Sequence, residues 1–404
     1  MLTHPLMPIL MLLGQVVALL RLRSMAAGRG PKIFVTVVFV LMNALAAPAV
    51  WYYYYSPGPP PTSRLLWSLA CRPGLVWEAS VLVWLLASGL AALLAAQAGR
   101  LWSGKKNGYN SLFREAKKSG RPRAWQLALL VVVLALGGVG YARRLAPPAV
   151  TEATLSVPGL NPELRGLKIA LISDVRYGRS LNLTELAAVT SLAASKKPDL
   201  VVLAGGLVDR LAVLGLDYRI PLLSLGTVPL GAYAVLGPSD NDVDSKSRLV
   251  ENLAGTGLRV LVNRRERLPG LPVTLAGFDD PGGKVEDGGK ILDFDKLAGD
   301  EPGEGDLLIA VRGRPAGLRE ARAAGASLYL SGPDKLFHIR PPAGGGDGPA
   351  PGPPWLARGL APGGHLEGGL VLYLTGGLAG DLPARLLGRP EIALLTLTDR
   401  PRAE

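Results

Sequence analysis

A charged loop that follows an apolar strand is the first place in this chain where chemistry is expected. Residues 168–172 predict a central strand covered on both faces, because residues 169–172 are an uninterrupted apolar run. Asp174 and Arg176 follow within four residues. Loops at the carboxyl ends of such strands carry the reactive groups of open α/β folds. The spacing therefore places one carboxylate and one guanidinium where a catalytic or binding group is expected.

Histidine and cysteine, the usual ligands of transition metals, are scarce in this chain. Cys71 is the one cysteine, which excludes an intrachain disulfide and a thiolate metal cluster. The three histidines are His4, His338 and His365, and two of them follow residue 150. The part of the chain after residue 150 therefore has few imidazoles from which to build a metal centre.

Four apolar segments precede Val150, at about residues 5–20, 33–50, 81–96 and 124–141, and they predict four transmembrane helices. No Lys or Arg precedes Arg21, so the first segment is expected to be a retained helix and not a cleaved signal peptide. Lys and Arg are concentrated after the first and third segments. This distribution predicts that these loops are cytoplasmic and that the domain after residue 141 is extracytoplasmic.

The net charge of +12 is therefore interpreted as a sign of membrane topology. The expected partner is the lipid bilayer, and no aromatic-interleaved basic stripe indicates nucleic-acid binding. The sequence does not specify a protein partner. Glu78, close to the start of the third segment, is interpreted as a solvated residue at the outer interface and not as an intramembrane proton site.

The sequence divides into a membrane domain at residues 1–145, a linker and first strand at 146–163, and a second domain at 164–400. Strands alternate with helices in the second domain, which predicts an α/β fold, and its strand-rich later half indicates a second sheet. Residues 341–354 are a run of Gly, Pro and Ala with one Asp and are expected to form a flexible loop.

Segments distributed over residues 164–397 resemble the calcineurin-like metallophosphoesterases, in order and in spacing. They read ISDVRYG, PDLVVLAGGLVD, GAYAVLGPSD, LAGFDD, LYLSGPDK and LYLTGGLAG followed by PEI, in chain order. The resemblance implies a four-layer α/β/β/α sandwich with the site at the strand ends. The preceding apolar segments fit a bacterial membrane-bound branch of that family.

The resemblance also implies that most metal ligands of the family are replaced. Asp174 is retained, but Arg176 stands where the family has a histidine and Gly206 where it has the bridging aspartate. The remaining ligand or transition-state positions fall on Pro238, Ser239, Gly313, Pro333 and Lys335. Members of the family bind two divalent metals such as Mn, Fe or Zn. One carboxylate cannot hold two such ions, so no cofactor is expected here.

Two explanations of these replacements remain open. In the first, activity was lost and cations fill the former metal cavity by pairing with Asp174. In the second, Arg176, Lys335 and Arg314 bind a phosphate-bearing ligand without hydrolysing it, since guanidinium and ammonium groups both suit phosphate.

Acidic residues allow two further interpretations. A single-metal site rebuilt from Asp174, Asp240 and Asp334 remains open, whereas the calcium-loop spacing of Asp240, Asp242, Asp244 and Glu251 is interpreted as coincidence. The sequence thus predicts an inactive, membrane-anchored binding or scaffolding protein. The alternative is a phosphoesterase that hydrolyses a phosphomonoester or phosphodiester with an atypical metal site.

Overall fold

The structure, a computed structural model, is described here for most of the chain. The described residues are 6–55, 72–102, 121–178, 180–208, 218–241, 243, 246–280, 293–333, 363–379, 385 and 389–399. They form two compact units, Met1–Ala142 and Arg143–Glu404.

The first unit is helical. Its helices are α1 (Leu6–Met25), α2 (Arg29–Tyr55), α3 (Arg72–Trp102) and α4 (Arg121–Leu145). Three of them contain candidate membrane spans in the described residues, at Arg29–Pro48, Pro73–Leu94 and Ala124–Leu145.

The expectation of four transmembrane helices is therefore wrong by one, because α1 is not among the candidate spans. Its sequence gives the reason. Arg21 and Arg23 leave an apolar stretch of only about 15 residues, interrupted by Gln15, whereas a span needs roughly 20.

Small residues allow the helices of the first unit to approach closely. A Cβ atom placed on Gly74 of α3 would lie 2.5 Å from the Cα of Ala46 in α2. One placed on Gly137 of α4 would lie 2.7 Å from Oγ of Ser80 in α3. The glycines thus remove the side-chain atoms that would separate these helices, as is common where helices pack without a hydrophobic driving force.

Glu78 is not at a solvated helix start. Its side chain is buried, with the residue 5% exposed, and it accepts a hydrogen bond from Nε2 of Gln15 in α1. The interpretation of Glu78 as a solvated interfacial residue was therefore wrong. Glu78 is the seventh residue of α3, and a position so close to a helix start does not by itself indicate that the side chain faces another helix.

The second unit contains short helices and thirteen strands in the described residues. The strands are β1 (Ala149–Ser156), β2 (Lys168–Ile172), β3 (Leu200–Ala204), β4 (Ala232–Val235), β5 (Leu258–Val260), β6 (Arg264–Arg267), β7 (Val273–Phe278), β8 (Ala298–Gly299), β9 (Leu307–Arg312), β10 (Leu328–Ser331), β11 (Gly363–Glu367), β12 (Leu370–Leu374) and β13 (Glu391–Thr398). The α-helices are α5 (Leu183–Ser195), α6 (Arg219–Leu223), α7 (Pro238–Asn241), α8 (Lys246–Ala254) and α9 (Leu318–Ala323). The longest, α5, begins with a capping box in which Asn182 and Glu185 bind each other's backbone amides.

These strands form two mixed sheets. The first has the order β1-β13-β2-β3-β4-β5, and β2, β3, β4 and β5 run parallel. The second has the order β11-β12-β10-β9-β7-β6-β8, and β12, β10, β9 and β7 run parallel. Parallel strands bring their carboxyl ends to one edge of each sheet, which is where the loops of interest lie. The predicted α/β class is thus confirmed.

Alternate residues of the strands supply separate apolar clusters. Ile169 and Leu171 of β2 belong to a cluster shared with Leu275 and Ile309 of the second sheet. Ala170 and Ile172 of the same strand pack with Leu186 and other residues of the helices beside the first sheet. A third cluster joins the second sheet to Leu318 and Ala321 of α9. Alternation along each strand therefore lets both faces of the sheets be covered.

Candidate functional site

The loop after β2 is held in place by backbone hydrogen bonds to two other loops. The amides of Asp174 and Arg176 donate to the carbonyls of Gly205 and Gly206, at 3.0 and 2.7 Å. The amide of Ala379 donates to the carbonyl of Asp174 at 2.9 Å. The loops that follow β2 and β3 of the first sheet and β12 of the second sheet therefore meet at Asp174.

Asp174 and Arg176 form an ion pair within this loop. Oδ1 of Asp174 lies 3.4 Å from Nε of Arg176, and the two side chains are 21% and 14% exposed. Both residues have left-handed backbone conformations, with φ of 49° and 46°. Non-glycine residues adopt this region at a cost, and they persist in it when neighbouring contacts fix the backbone.

Arg385 adds a second positive charge beside Asp174. This guanidinium is buried and donates to the carbonyls of Gly377 and Leu378 at 2.9 and 3.2 Å. Burial lowers the pKa of Arg385 to about 10, and the negative charges of Asp174 and Glu391 oppose that shift. The positive charges of Arg176 and Arg385 thus oppose the binding of a divalent cation at Asp174.

Glycine backbone occupies the space beside Asp174. A Cβ atom on Gly206 would lie 2.7 Å from Oδ1 of Asp174, and Gly206 has a φ of +67°. A Cβ atom on Gly205 would lie 2.9 Å from Gly237 and from Gly313. The position that would carry the bridging aspartate thus has neither the space nor the backbone conformation for an ordinary side chain.

Asp240 is a structural anchor for these loops. Its carboxylate is fully buried and accepts hydrogen bonds from the amides of Gly206, Leu207, Val208 and Gly237 at 2.8–2.9 Å. These four donors occupy its oxygens, and the side chain is directed away from solvent. The structure therefore contradicts a role for Asp240 in a rebuilt metal site or in a calcium loop.

A second cluster of charges lies next to Gly313 at the end of β9. The fully buried carboxylate of Asp280 accepts hydrogen bonds from Nη2 of Arg312 at 3.3 Å and from Nε of Arg314 at 2.7 Å. Nε and Nη1 of Arg312 are buried and have no hydrogen-bond partner among the described residues. Two arginines therefore share this one buried carboxylate. Asp280 and Arg312 were not among the predicted site residues.

The signal for this cluster is present in the sequence. Arg312 and Arg314 flank Gly313 at a spacing of two, and Asp280 ends the LAGFDD segment. The preceding Asp279 bonds to Lys246 and to Nδ2 of Asn241, the latter at 2.7 Å. Charged residues close to the ends of predicted strands are therefore the sequence signal that indicates Asp279 and Asp280.

The remaining predicted positions supply few ligands. Pro238 and Ser239 begin α7, and the buried Oγ of Ser239 has no hydrogen-bond partner within the described ranges. Pro333 is buried after β10. His365 lies in strand β11. Lys335, Asp334, Asp242, Asp244, His338 and the loop 341–354 lie outside the described residues.

The residues present at this site do not fit a two-metal centre. Asp174 is paired with Arg176, Asp240 binds four amides, and Asp280 binds two arginines. Among the described residues, no group of three or more His, Cys, Asp or Glu side chains could hold a metal ion. Hard cations need several free oxygen or imidazole ligands, which these carboxylates do not offer.

Comparisons with known proteins agree with the family indicated by the motifs. No family profile matches the chain. The chain is similar to "Transmembrane protein with metallophosphoesterase domain" of Danio rerio, with 29% identity over 227 residues, 54% of this chain and 51% of that protein. The protein of the same name from Bos taurus is 29% identical over 261 residues, 62% of this chain and 56% of that protein.

A bacterial relative matches over most of its length. "Uncharacterized metallophosphoesterase YkuE" of Bacillus subtilis is 28% identical over 277 residues, 65% of this chain and 90% of that protein. The chain spans about half the length of the two vertebrate relatives. The relatives' names and the three apolar helices indicate a membrane protein. Together with the motifs and the mixed sheets, these similarities support the metallophosphoesterase superfamily as the family of this chain.

Proposed function

We propose that this protein is a membrane-anchored metallophosphoesterase-fold protein without phosphoesterase activity, which acts by binding or scaffolding at the cell surface. The observation that carries the proposal is the ion pair between Asp174 and Arg176, next to the glycine backbone at Gly206. A carboxylate already neutralised by a fixed cation has little affinity for a second one, because the two cations repel each other at short range.

The architecture proposed for the second unit is a four-layer α/β/β/α sandwich. The apolar clusters on the two faces of each sheet support it. The proposed topology places the basic loops after the first and third apolar segments in the cytoplasm and the second unit outside. The bilayer is its expected partner, and no nucleic acid is expected.

The proposed ligand is a phosphate-bearing anion. Arg312 and Arg314 support this choice, because they share one carboxylate and because Arg312 retains buried N–H groups for which the described residues offer no acceptor. Arg176, another predicted anion-binding residue, would add charge from the loop after β2, and Lys335 lies outside the described residues. Guanidinium groups suit phosphate because they donate two parallel hydrogen bonds.

An active enzyme with an atypical metal site is the second candidate. The observation in its favour is that the relatives are named metallophosphoesterases. Elemental analysis of the purified full chain, combined with hydrolysis of bis(p-nitrophenyl) phosphate in the presence of Mn²⁺, separates the two. We expect no stoichiometric metal and no turnover above that of an Asp174→Ala variant. Two transition metals per chain, with turnover that Asp174→Ala abolishes, would establish the enzyme instead.

Binding of the anion is tested separately by titrating inorganic phosphate into the full chain in detergent and recording the heat of binding. We expect saturable binding that weakens at least tenfold in Arg314→Ala, the loss of one charge-assisted bidentate contact. Arg319→Ala is the matched control, since Arg319 is exposed on α9. Absence of saturable phosphate binding, or equal weakening in Arg319→Ala, would contradict the anion ligand and leave scaffolding alone as the proposed function.

A further inference from the structure

The membrane unit contains a buried carboxyl group that the proposed function does not use. Glu78 and Glu115 are the two carboxylate side chains in residues 1–145, and Glu78 alone falls within α3. Glu78 lies inside the candidate span Pro73–Leu94 and is only 5% exposed. An ionisable residue inside a membrane segment is costly, so such residues commonly have a function.

The partner of Glu78 is a neutral amide. Nε2 of Gln15 donates to Oε2 of Glu78 at 2.5 Å, and Gln15 is itself only 3% exposed. Arg21, the next cation along α1, donates to Oγ of Ser88 at 2.8 Å and lies over the ring of Trp84. Ser88 is ten residues beyond Glu78, roughly 15 Å along the helix axis. Arg21 is therefore engaged at another level of the bundle.

The side-chain oxygen of Gln15 indicates whether Glu78 is protonated. Oε1 of Gln15 is a buried acceptor that has no hydrogen-bond partner in the described part of the chain. An ionised carboxylate has no proton to offer it. A carboxylic acid can make both contacts, because the amide N–H donates to the acid carbonyl while the acid O–H donates to the amide oxygen. Only the protonated form of Glu78 therefore satisfies both polar ends of Gln15.

We propose that Glu78 and Gln15 form a proton-binding site inside the helical bundle, in which Glu78 carries its proton at neutral pH. The bound proton sits between an Oε atom of Glu78 and Oε1 of Gln15. A metal cation fits less well, because the carboxyl group and one amide oxygen are fewer ligands than hard cations require. The site is distinct from the residues around Asp174 and does not depend on the proposed function.

Dicyclohexylcarbodiimide, a membrane-soluble reagent, tests this assignment directly. The acid proton transfers to a carbodiimide nitrogen while the carboxylate oxygen adds to the central carbon, so the whole reagent is added and no group leaves. We expect mass spectrometry of the reconstituted full chain to show the reagent on Glu78 at neutral pH. A water-soluble carbodiimide should instead modify exposed carboxylates such as Glu152, whose side chain is 69% exposed, and leave Glu78 unmodified.

Infrared spectroscopy gives a second measurement that does not depend on reagent access. The carbonyl stretch of a protonated carboxylic acid should be present in the full chain and absent in Glu78→Gln, which keeps the size and polarity of the side chain. A Gln15→Leu variant should shift that band, since the acid loses its hydrogen-bond partner. Absence of the acid band from the full chain, or modification of Glu78 by the water-soluble reagent alone, would overturn the proposal.

Discussion

Oδ1 of Asp174 lies 3.4 Å from Nε of Arg176, and the two residues share a left-handed backbone conformation in one loop. Because the amides of both residues donate to the loop after β3, their positions are fixed by the strands and not by the ion pair. The ion pair thus follows from the fold together with the presence of arginine at position 176, where the family has a histidine. Gly206, whose backbone lies beside Asp174, allows the lack of space at this position to be tested by substitution.

Restoring the family's bridging residue should not restore a metal site. In Gly206→Asp the new Cβ would lie 2.7 Å from Oδ1 of Asp174, at a φ of +67°. We expect a loss in the free energy of unfolding of about 1–2 kcal/mol from the backbone and a further ~1–3 kcal/mol from overpacking. Denaturant unfolding of the full chain in detergent measures this loss.

The matched control is Gly159→Asp, which has a φ of +72° and no atom within 4 Å of the new Cβ. It should show the backbone cost alone. Equal destabilisation of the two variants, or stoichiometric Mn²⁺ binding by Gly206→Asp, would contradict the steric argument.

Asp240→Asn should destabilise the second unit strongly. The NH2 group of asparagine donates and cannot accept hydrogen bonds, so the two amides now bound by one oxygen of Asp240 lose their acceptor. Each buried unsatisfied donor costs about 1–3 kcal/mol. Thermal unfolding should therefore show a large decrease in Tm, whereas Asp295→Asn, at an exposed position, should change stability by less than about 0.5 kcal/mol. A decrease as small as that of the control would show that the carboxylate charge is not required.

Asp280→Asn tests the second charge cluster. Removing the buried carboxylate leaves Arg312 and Arg314 without the counter-charge they now share, and breaking a buried ion pair from one side costs about 3–5 kcal/mol. Combining this change with Arg312→Met should recover part of the loss, because one buried cation is then removed as well. Denaturant unfolding of the single and double variants gives the coupling energy. Strict additivity of the two substitutions would argue against a shared electrostatic origin.

Two glycines of α3 should respond to alanine with opposite signs. Gly74→Ala places a Cβ 2.5 Å from the Cα of Ala46 and should separate α2 from α3, at a cost of about 1–3 kcal/mol. Gly89→Ala meets no atom within 4 Å and should stabilise α3 by about 0.5–1 kcal/mol, through a smaller loss of backbone entropy. Thermal unfolding in detergent, followed by tryptophan fluorescence, measures both. Stabilisation by Gly74→Ala would disprove the close contact of the two helices.

Several elements of the second unit were predictable from short stretches of sequence. The strand predicted at 168–172 has these bounds in the structure, and β3, α5 and α9 coincide with similar short apolar patterns. Their apolar periodicity is complete within five to thirteen residues, so no distant contact is needed to recognise it. Strand β6, which reads RRER, was missed because its residues resemble a solvated loop. It is a strand because the backbone of Arg264–Arg267 pairs with that of β7.

The amino-acid sequence by itself determined which ligand types are missing around Asp174, since residue identity and motif spacing need no coordinates. The tertiary structure decided what replaces them: the loop geometry that pairs Asp174 with Arg176, the amides that bind Asp240, and the arginines around Asp280. It also decided that Glu78 faces Gln15, a residue 63 positions away. Such pairings depend on packing between distant segments, and local periodicity carries no information about which polar side chains will meet.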